Sequence, residues 1–360
     1  MNNSQIISEQ VNVLPTTPQQ AKKPANMDLI DLVKLILSFV IVAIHTQLFD
    51  PVLYPWTRLA VPLFFMISSY FFFVKVNACQ TAAEKNKCLK GFVLRNLKLY
   101  AFWFIALFPV CIFTRGWFDY GIINGILNII INFFVGSTFV ASWFISALVI
   151  GTALIFFASK KLSNKVLLAI GIVYFILVSL RSSYLFIFKD LTSVLVLVAK
   201  YEYYLGVPYN SIPAGIFWIV CGKIFADGGF RAKVKDSTFN LGLSLALLFI
   251  EWILLYRYSG SFNKDSYLML APCAITIFNL LLQAKPRKFK YASQMRKISI
   301  IIYASHGAVL SVVSFIFSKT VGKMPSVVNF IAVSAICVCG ALLVLLLEKF
   351  KYLRWLKYSH

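Results

Sequence analysis

Charge is what this sequence has least of. Asp, Glu, Lys and Arg make up 13% of its 360 residues, against about 25% in a soluble domain. Hydrophobic residues make up 60%. No water-soluble fold of this length hides so much apolar side chain, so lipid has to be the solvent for much of the surface. Acids are scarcer than bases: 13 Asp and Glu stand against 35 Lys and Arg. With so few acids, and with His45, His306 and His360 as the 3 histidines, no ligand spacing is present and no metal is expected. The 7 cysteines have no metal or redox spacing. Cys111, Cys221, Cys273, Cys337 and Cys339 sit in apolar runs. Cys79 and Cys88 lie in a Lys-rich loop expected in the cytoplasm, where thiols stay reduced, so no structural disulfide is expected.

The net charge of +22 does not point to nucleic acid, because the basic residues form no continuous patch. Collection of Lys and Arg in the cytoplasmic loops of a membrane protein accounts for it. The first 26 residues are polar, with three prolines, and residues 1–27 read as a disordered cytoplasmic tail. The apolar segment after them is too long, and too charged at its start, for a secretory signal.

Apolar runs long enough to be candidate spans occur near Leu29–Leu48, Trp56–Val74, Leu97–Phe113, Ser142–Ser159, Lys165–Leu180, Ile212–Phe225, Phe239–Tyr256, Tyr267–Leu282, Ile298–Ser318 and Val327–Leu347. A further run, Ile122–Val135, has Asn124, Asn128 and Asn132 on one stripe. It suits an amphipathic helix that lies at the outer surface or re-enters the membrane. With ten spans every second loop is basic. Those loops contain Lys85, Lys87, Lys90 and Arg95; Lys160, Lys161 and Lys165; Arg231, Lys233 and Lys235; and the stretch from Lys285 to Lys297. The alternate loops hold scattered cations such as Arg115, Lys264, Lys319 and Lys323. The positive-inside rule then puts both termini in the cytoplasm. The expected fold is an all-α transmembrane bundle over residues 28–350, followed by a basic cytoplasmic tail at 351–360. No internal repeat is visible.

Ionisable groups within the spans are the functional candidates, since each costs at least about 2.5 kcal/mol at the centre of a membrane helix. In the first span Asp31, Lys34, Ser38 and His45 share a stripe. Lys34 and His45 lie about 16 Å apart along the axis. This stripe faces a cavity, or it is an Asp31–Lys34 pair with a satisfied buried His. The second span runs from Arg58 through Pro62, a position that can kink it, to Ser68, Ser69 and Tyr70. Glu251 sits in a strongly apolar context at a depth similar to that of His45. It either orients that ring or bonds to a neighbouring helix.

These stretches resemble acyltransferase family 3, the membrane O-acyltransferases of bacterial surface glycans. The family's basic residue, ten intervening residues and His appear as Lys34 to His45. Its Arg-x-x-x-Pro-x-Phe-Phe-x-x-Ser-Gly-Tyr is matched by Arg58, Pro62, Phe64, Phe65, Ser68 and Tyr70, with Ser69 in place of Gly. Its Arg-x-x-Arg appears as Arg95 to Lys98. Ser142-Trp143-Phe144-Ile145 and Ile302-Tyr303-Ala304-Ser305-His306 are similar to the starts of its fourth and penultimate spans. The resemblance runs from about Asp28 to the C-terminus.

It implies a multi-pass protein of the bacterial plasma membrane that moves an acyl group, usually acetyl, from cytoplasmic acyl-CoA to a sugar hydroxyl. The bilayer, a carbohydrate acceptor and other glycan-biosynthesis membrane proteins are the implied partners, without nucleic acid. In that scheme His45 is the base, with Lys34 and Asp31 deeper on its stripe and Glu251 as its candidate partner. Arg95 and Lys98, with Lys34, bind the CoA phosphates, unless that pair merely reflects loop topology. Arg58, Trp143, Tyr303 and His306 line the acceptor side, where a packed structural role for His306 is an equal reading. The competing function class is a transporter or flippase for a small polar or glycan substrate, built on the same intramembrane groups.

Overall fold

The computed structural model describes residues 27–49, 53–260, 265–320, 322 and 324–360. The tail up to residue 26, Lys264 and Lys323 lie outside the described residues. Every regular element among those described is helical. In chain order they are α1 (Met27–His45), α2 (Tyr54–Thr57), α3 (Ala60–Asn77), α4 (Ala82–Arg115), α5 (Ile122–Phe134), α6 (Trp143–Ala158), α7 (Asn164–Ser182), α8 (Thr192–Leu205), α9 (Ile212–Ala226), α10 (Val234–Ser259), α11 (Leu270–Gln283), α12 (Ala292–Thr320) and α13 (Ser326–Leu347). Short 3₁₀ helices occupy Leu185–Phe188, Pro208–Asn210 and Lys351–Ser359.

Among the described residues seven stretches are long and apolar enough to cross a membrane: Tyr54–Asn77, Ala82–Arg115, Asn164–Ser182, Thr192–Ala226, Val234–Ser259, Ala292–Lys319 and Ser326–Leu347. α5, α6 and α11 are shorter apolar helices. α1 carries Asp28, Asp31 and Lys34 in its first turns. Each expected span therefore coincides with a helix, but the helices for three of them are short or charged. α8 was not expected from the sequence. Arg181 of α7 holds it through an ion pair to Glu202 at 2.6 Å.

Local signals fix several of the ends. Thr81 and Glu84 form a capping box at the start of α4, the Glu84 N–H donating to Thr81 Oγ1 at 3.1 Å. Gly116, at φ 59°, closes the same helix in the left-handed region that glycine adopts without strain. Pro62 falls in the first turn of α3, three and four residues after the break at Leu59 and Arg58 that separates α2 from α3 within the stretch Tyr54–Asn77.

Hydrogen bonds gather alternate helix ends into one layer. Asp227, beyond α9, accepts from Asn77 at the end of α3 and from Asn164 at the start of α7, both at 2.8 Å. Lys160 after α6 reaches Asn86 of α4. Asp28 of α1 accepts from the Phe289 N–H just before α12, and Lys297 of α12 binds Glu348 after α13 at 2.8 Å. Gln283 at the end of α11 donates to Ala232 before α10. The Lys-rich segments therefore share one end of the bundle, called here the basic end.

α9 forms the centre, with every residue from Gly215 to Phe225 buried. It packs against α3 at very short range. A Cβ on Gly222 would collide with Ser69 Oγ and lie 2.6 Å from the Met66 carbonyl oxygen. Ser69, which stands where the family pattern has Gly, fits because its hydroxyl turns back to the Phe65 carbonyl at 2.8 Å. The outer helices turn large apolar side chains outward, such as Phe113, Phe239 and Phe315, as a lipid-facing surface requires.

Candidate functional site

At the end opposite the basic layer a cavity of about 700 Å³ opens between α1, α3, α6, α7, α9 and the loops beside them. His45, Arg58, Trp143 and Tyr303 all line it. Sequence positions as distant as 45 and 303 are thus brought to one chamber. His45 is the last residue of α1, so its ring leaves the helix end at the wall of the chamber. It remains accessible there.

His306 lies behind it, fully buried, with the two ring centroids 5.0 Å apart. Its Nδ1 is 2.7 Å from the Tyr303 carbonyl oxygen. A carbonyl only accepts, so Nδ1 carries a proton, and in the neutral ring Nε2 is the acceptor. Nε2 has no hydrogen-bond partner among the described residues.

Arg58 pairs with Asp265 at 2.7 Å and lies 4.3 Å from the centre of the Tyr54 ring. Asp265, Tyr54, Arg115 and Asn132 also line the chamber. The sequence marks none of them as a site residue, Arg115 only as a loop cation, because each becomes part of a site only through contacts between distant segments. Asn132, on the polar stripe of α5, is the exception in kind: that stripe marked the helix, and its carboxamide oxygen accepts the Ser137 N–H.

Residues 136–142 form a loop that dips into the bundle before α6. Ser142 Oγ accepts the Thr138 N–H at 3.0 Å, and Thr138 Oγ1 contacts Tyr100 Oη at 2.8 Å. Ala141 has a φ of 66°, uncommon for a residue with a Cβ. Its carbonyl takes the Tyr303 O–H at 2.5 Å. Gly307 leaves room for this loop, since a Cβ there would meet the Val140 side chain. Trp143 is thereby set at the cavity wall.

The remaining sequence candidates lie elsewhere. Glu251 does not join His45. Its carboxylate accepts the Tyr184 O–H and the backbone N–H groups of Leu268 (2.6 Å) and Met269 (2.8 Å). It caps the start of α11, where unpaired N–H groups attract a carboxylate, and it does not line the chamber. Asp31 and Lys34 are at the basic end. The ion pair of Asp31 is to Arg296 at 3.8 Å rather than to Lys34. Lys34 Nζ lies 5.7 Å from the centre of the Phe71 ring and feels the charge of Asp31 first, then those of Arg296 and Arg95. Arg95 and Lys98 line a second cavity of about 400 Å³, together with Lys357, Tyr358 and His360. The sequence marks the C-terminal residues of that group only as a basic tail. Among the described residues no group of three or more His, Cys, Asp and Glu is arranged to hold a metal.

Bundle and chambers together define a multi-pass helical membrane protein with a polar cavity at one end and a cationic one at the other. The family follows from the sequence: the acyltransferase domain profile matches residues 27–346, and the chain belongs to acyltransferase family 3. Among curated proteins it is similar to an amino-acid racemase of Enterococcus faecalis, 25% identical over 89% of this chain and 46% of that protein. A second amino-acid racemase of the same organism is 26% identical over 72% of this chain and 36% of its own length. A serine/alanine racemase of Enterococcus gallinarum is 22% identical over 90% and 47%. The chain spans about half the length, or less, of the curated relatives it matches. No solved structure matches.

Proposed function

We propose that this protein is a membrane O-acyltransferase. It would carry an acyl group, acetyl by family expectation, from cytoplasmic acyl-CoA to a hydroxyl of a cell-surface or lipid-linked carbohydrate. The chain crosses the bacterial plasma membrane ten times with both described ends on the cytoplasmic side, so the basic end is cytoplasmic and the larger chamber faces outward. The observation that carries this reading is the His45 ring, accessible in the chamber and backed by His306.

His45 takes the proton of the acceptor hydroxyl as its oxygen attacks the thioester carbonyl. The carbon–sulfur bond breaks, the CoA thiolate leaves, and the proton passes to it. The oxygen ester and free CoA are the products. Arg58, held by Asp265, contacts acceptor oxygens. Lys34, Arg95 and Lys98 hold the donor's phosphates. Glu251 is assigned to the fold, not to the chemistry.

The test is acetyl-CoA binding by calorimetry on the purified protein, with transfer to cell-envelope glycan followed by radiolabel. His45→Ala should bind acetyl-CoA and lose transfer by at least about a hundredfold, within the range for a general base. Full turnover in that variant would remove His45 as the base.

A second reading is favoured by the relatives. Proteins named as amino-acid and serine/alanine racemases share this chain over about half of their own length or less. A membrane portion that handles a small amino acid, as carrier or as acyl acceptor, is consistent with that. Absence of acetyl-CoA binding together with saturable amino-acid uptake would favour the carrier.

A further inference from the structure

The second cavity lies between α4 and the 3₁₀ helix Lys351–Ser359. α4 runs through the whole protein. From Arg95 to Arg115 it advances twenty residues, about 30 Å, which is the thickness of a bilayer's hydrocarbon core. Arg115 lines the larger chamber and Arg95 the second cavity. The second cavity therefore sits at the opposite membrane boundary, at the depth where phosphates are found.

Three cations line it, Arg95, Lys98 and Lys357, with His360 beside them and no Asp or Glu. Among the described residues none of the three cations is paired with a carboxylate. One ring holds two of them. Lys98 Nζ and Lys357 Nζ each lie 5.4 Å from the centre of Tyr358, within cation–π range. Three water-exposed cations around one concavity, with no carboxylate among its lining residues, offer an anion several donors at once.

The 3₁₀ helix is seated independently of Lys357. Trp103 Nε1–H donates to the Ser359 carbonyl at 2.9 Å. Trp355 packs on Phe102, with centroids 5.6 Å apart, and Leu356 is buried. Glu348 binds Lys297 at 2.8 Å and His360 Nε2 at 3.2 Å.

We propose that this cavity is a phosphate-binding site completed by the C-terminal helix, in which Lys357 and Tyr358 join Arg95 and Lys98 to take the phosphate-bearing end of the acyl donor. This rests on acyl-CoA being the donor. It adds two residues that follow the segment matched by the family profile, which ends at residue 346.

The experiment measures binding of acetyl-CoA and of acetyl-pantetheine, which has no phosphates. It uses the full chain in nanodiscs of phosphatidylcholine alone and of phosphatidylcholine with phosphatidylglycerol. Lys357→Ala should weaken acetyl-CoA binding about tenfold, as the loss of one charge-assisted hydrogen bond does, and leave acetyl-pantetheine unchanged. Lys357→Arg should restore the affinity. Lys351→Ala, which removes a cation from the same helix outside the cavity, should have no effect. Wild-type binding with an unchanged Lys357→Ala variant overturns this site and leaves the donor reading intact. No wild-type binding overturns both. If Lys357→Ala loses retained phosphatidylglycerol, read by native mass spectrometry, while acetyl-CoA binding is unchanged, the cavity holds a lipid headgroup and the proposal fails.

Discussion

His45 and Glu251 look alike in the sequence, each an ionisable residue in an apolar helix at similar depth. The fold gives them opposite tasks. His45 ends its helix at the wall of the chamber, whereas Glu251 meets the start of α11 and is consumed by two backbone N–H groups and Tyr184. Asp227 is a third case, at the basic end beyond α9. Burial opposes its ionisation, but hydrogen bonds from Lys223 (2.6 Å), Asn164 and Asn77 outweigh it and hold the carboxyl below the usual range. A depressed carboxyl pKa contributes stability above the ordinary value of about 4 and loses it as pH falls through the lower folded value. Thermal unfolding in detergent from pH 2.5 to 7 should show that Asp227→Asn lowers the midpoint at neutral pH. The difference from wild type should shrink in acid. A constant difference across the range would return Asp227 to simple packing.

Among the elements, the loop 136–142 and α12 are coupled through one small residue. Gly307 accepts Val140 where any Cβ would collide, and the adjoining Ala141 carbonyl holds the Tyr303 hydroxyl. Gly307→Ala should push the loop outward and shift the chamber wall, at an overpacking cost of about 1–3 kcal/mol. The expected result is a lower kcat for acyl transfer with unchanged acetyl-CoA affinity, because the cationic cavity is lined by other elements. A loss of donor affinity without loss of kcat would contradict this division. α3 and α9 show the same principle at the centre, where small residues let helices approach in a setting that gains little from hydrophobic exclusion.

For the molecule as a whole, the basic end unites segments scattered from Lys85 to Lys357, and the positive-inside rule predicts a cytoplasmic position for that end. Cysteines introduced singly as Asp119→Cys and Lys160→Cys test it with a membrane-impermeant maleimide. Asp119→Cys should label in intact cells and Lys160→Cys only after permeabilisation. The reverse pattern would invert the protein and put the cationic cavity on the side away from cytoplasmic CoA.

The all-helical bundle, the approximate helix positions and the family were legible in the sequence, because long apolar runs have few solutions in lipid and a polar stripe on a helix follows from periodicity alone. Lys34, His45 and Arg58 were legible as candidates because polarity is costly there and stands out, and Tyr303 only through the resemblance to the family. Which of them share a chamber was decided by tertiary structure. Asp265 reaches Arg58, His306 reaches His45, and Lys357 reaches the surroundings of Lys98 only after helices far apart in sequence have packed. The sequence left Glu251 with two readings, a partner of His45 or a bond to a neighbouring helix, because depth along a helix says nothing about rotation around it or about which neighbour's N–H groups will be waiting. Periodicity is a property of one helix, whereas a site is a property of several, and the small residues that set their approach carry no charge or hydropathy signal of their own.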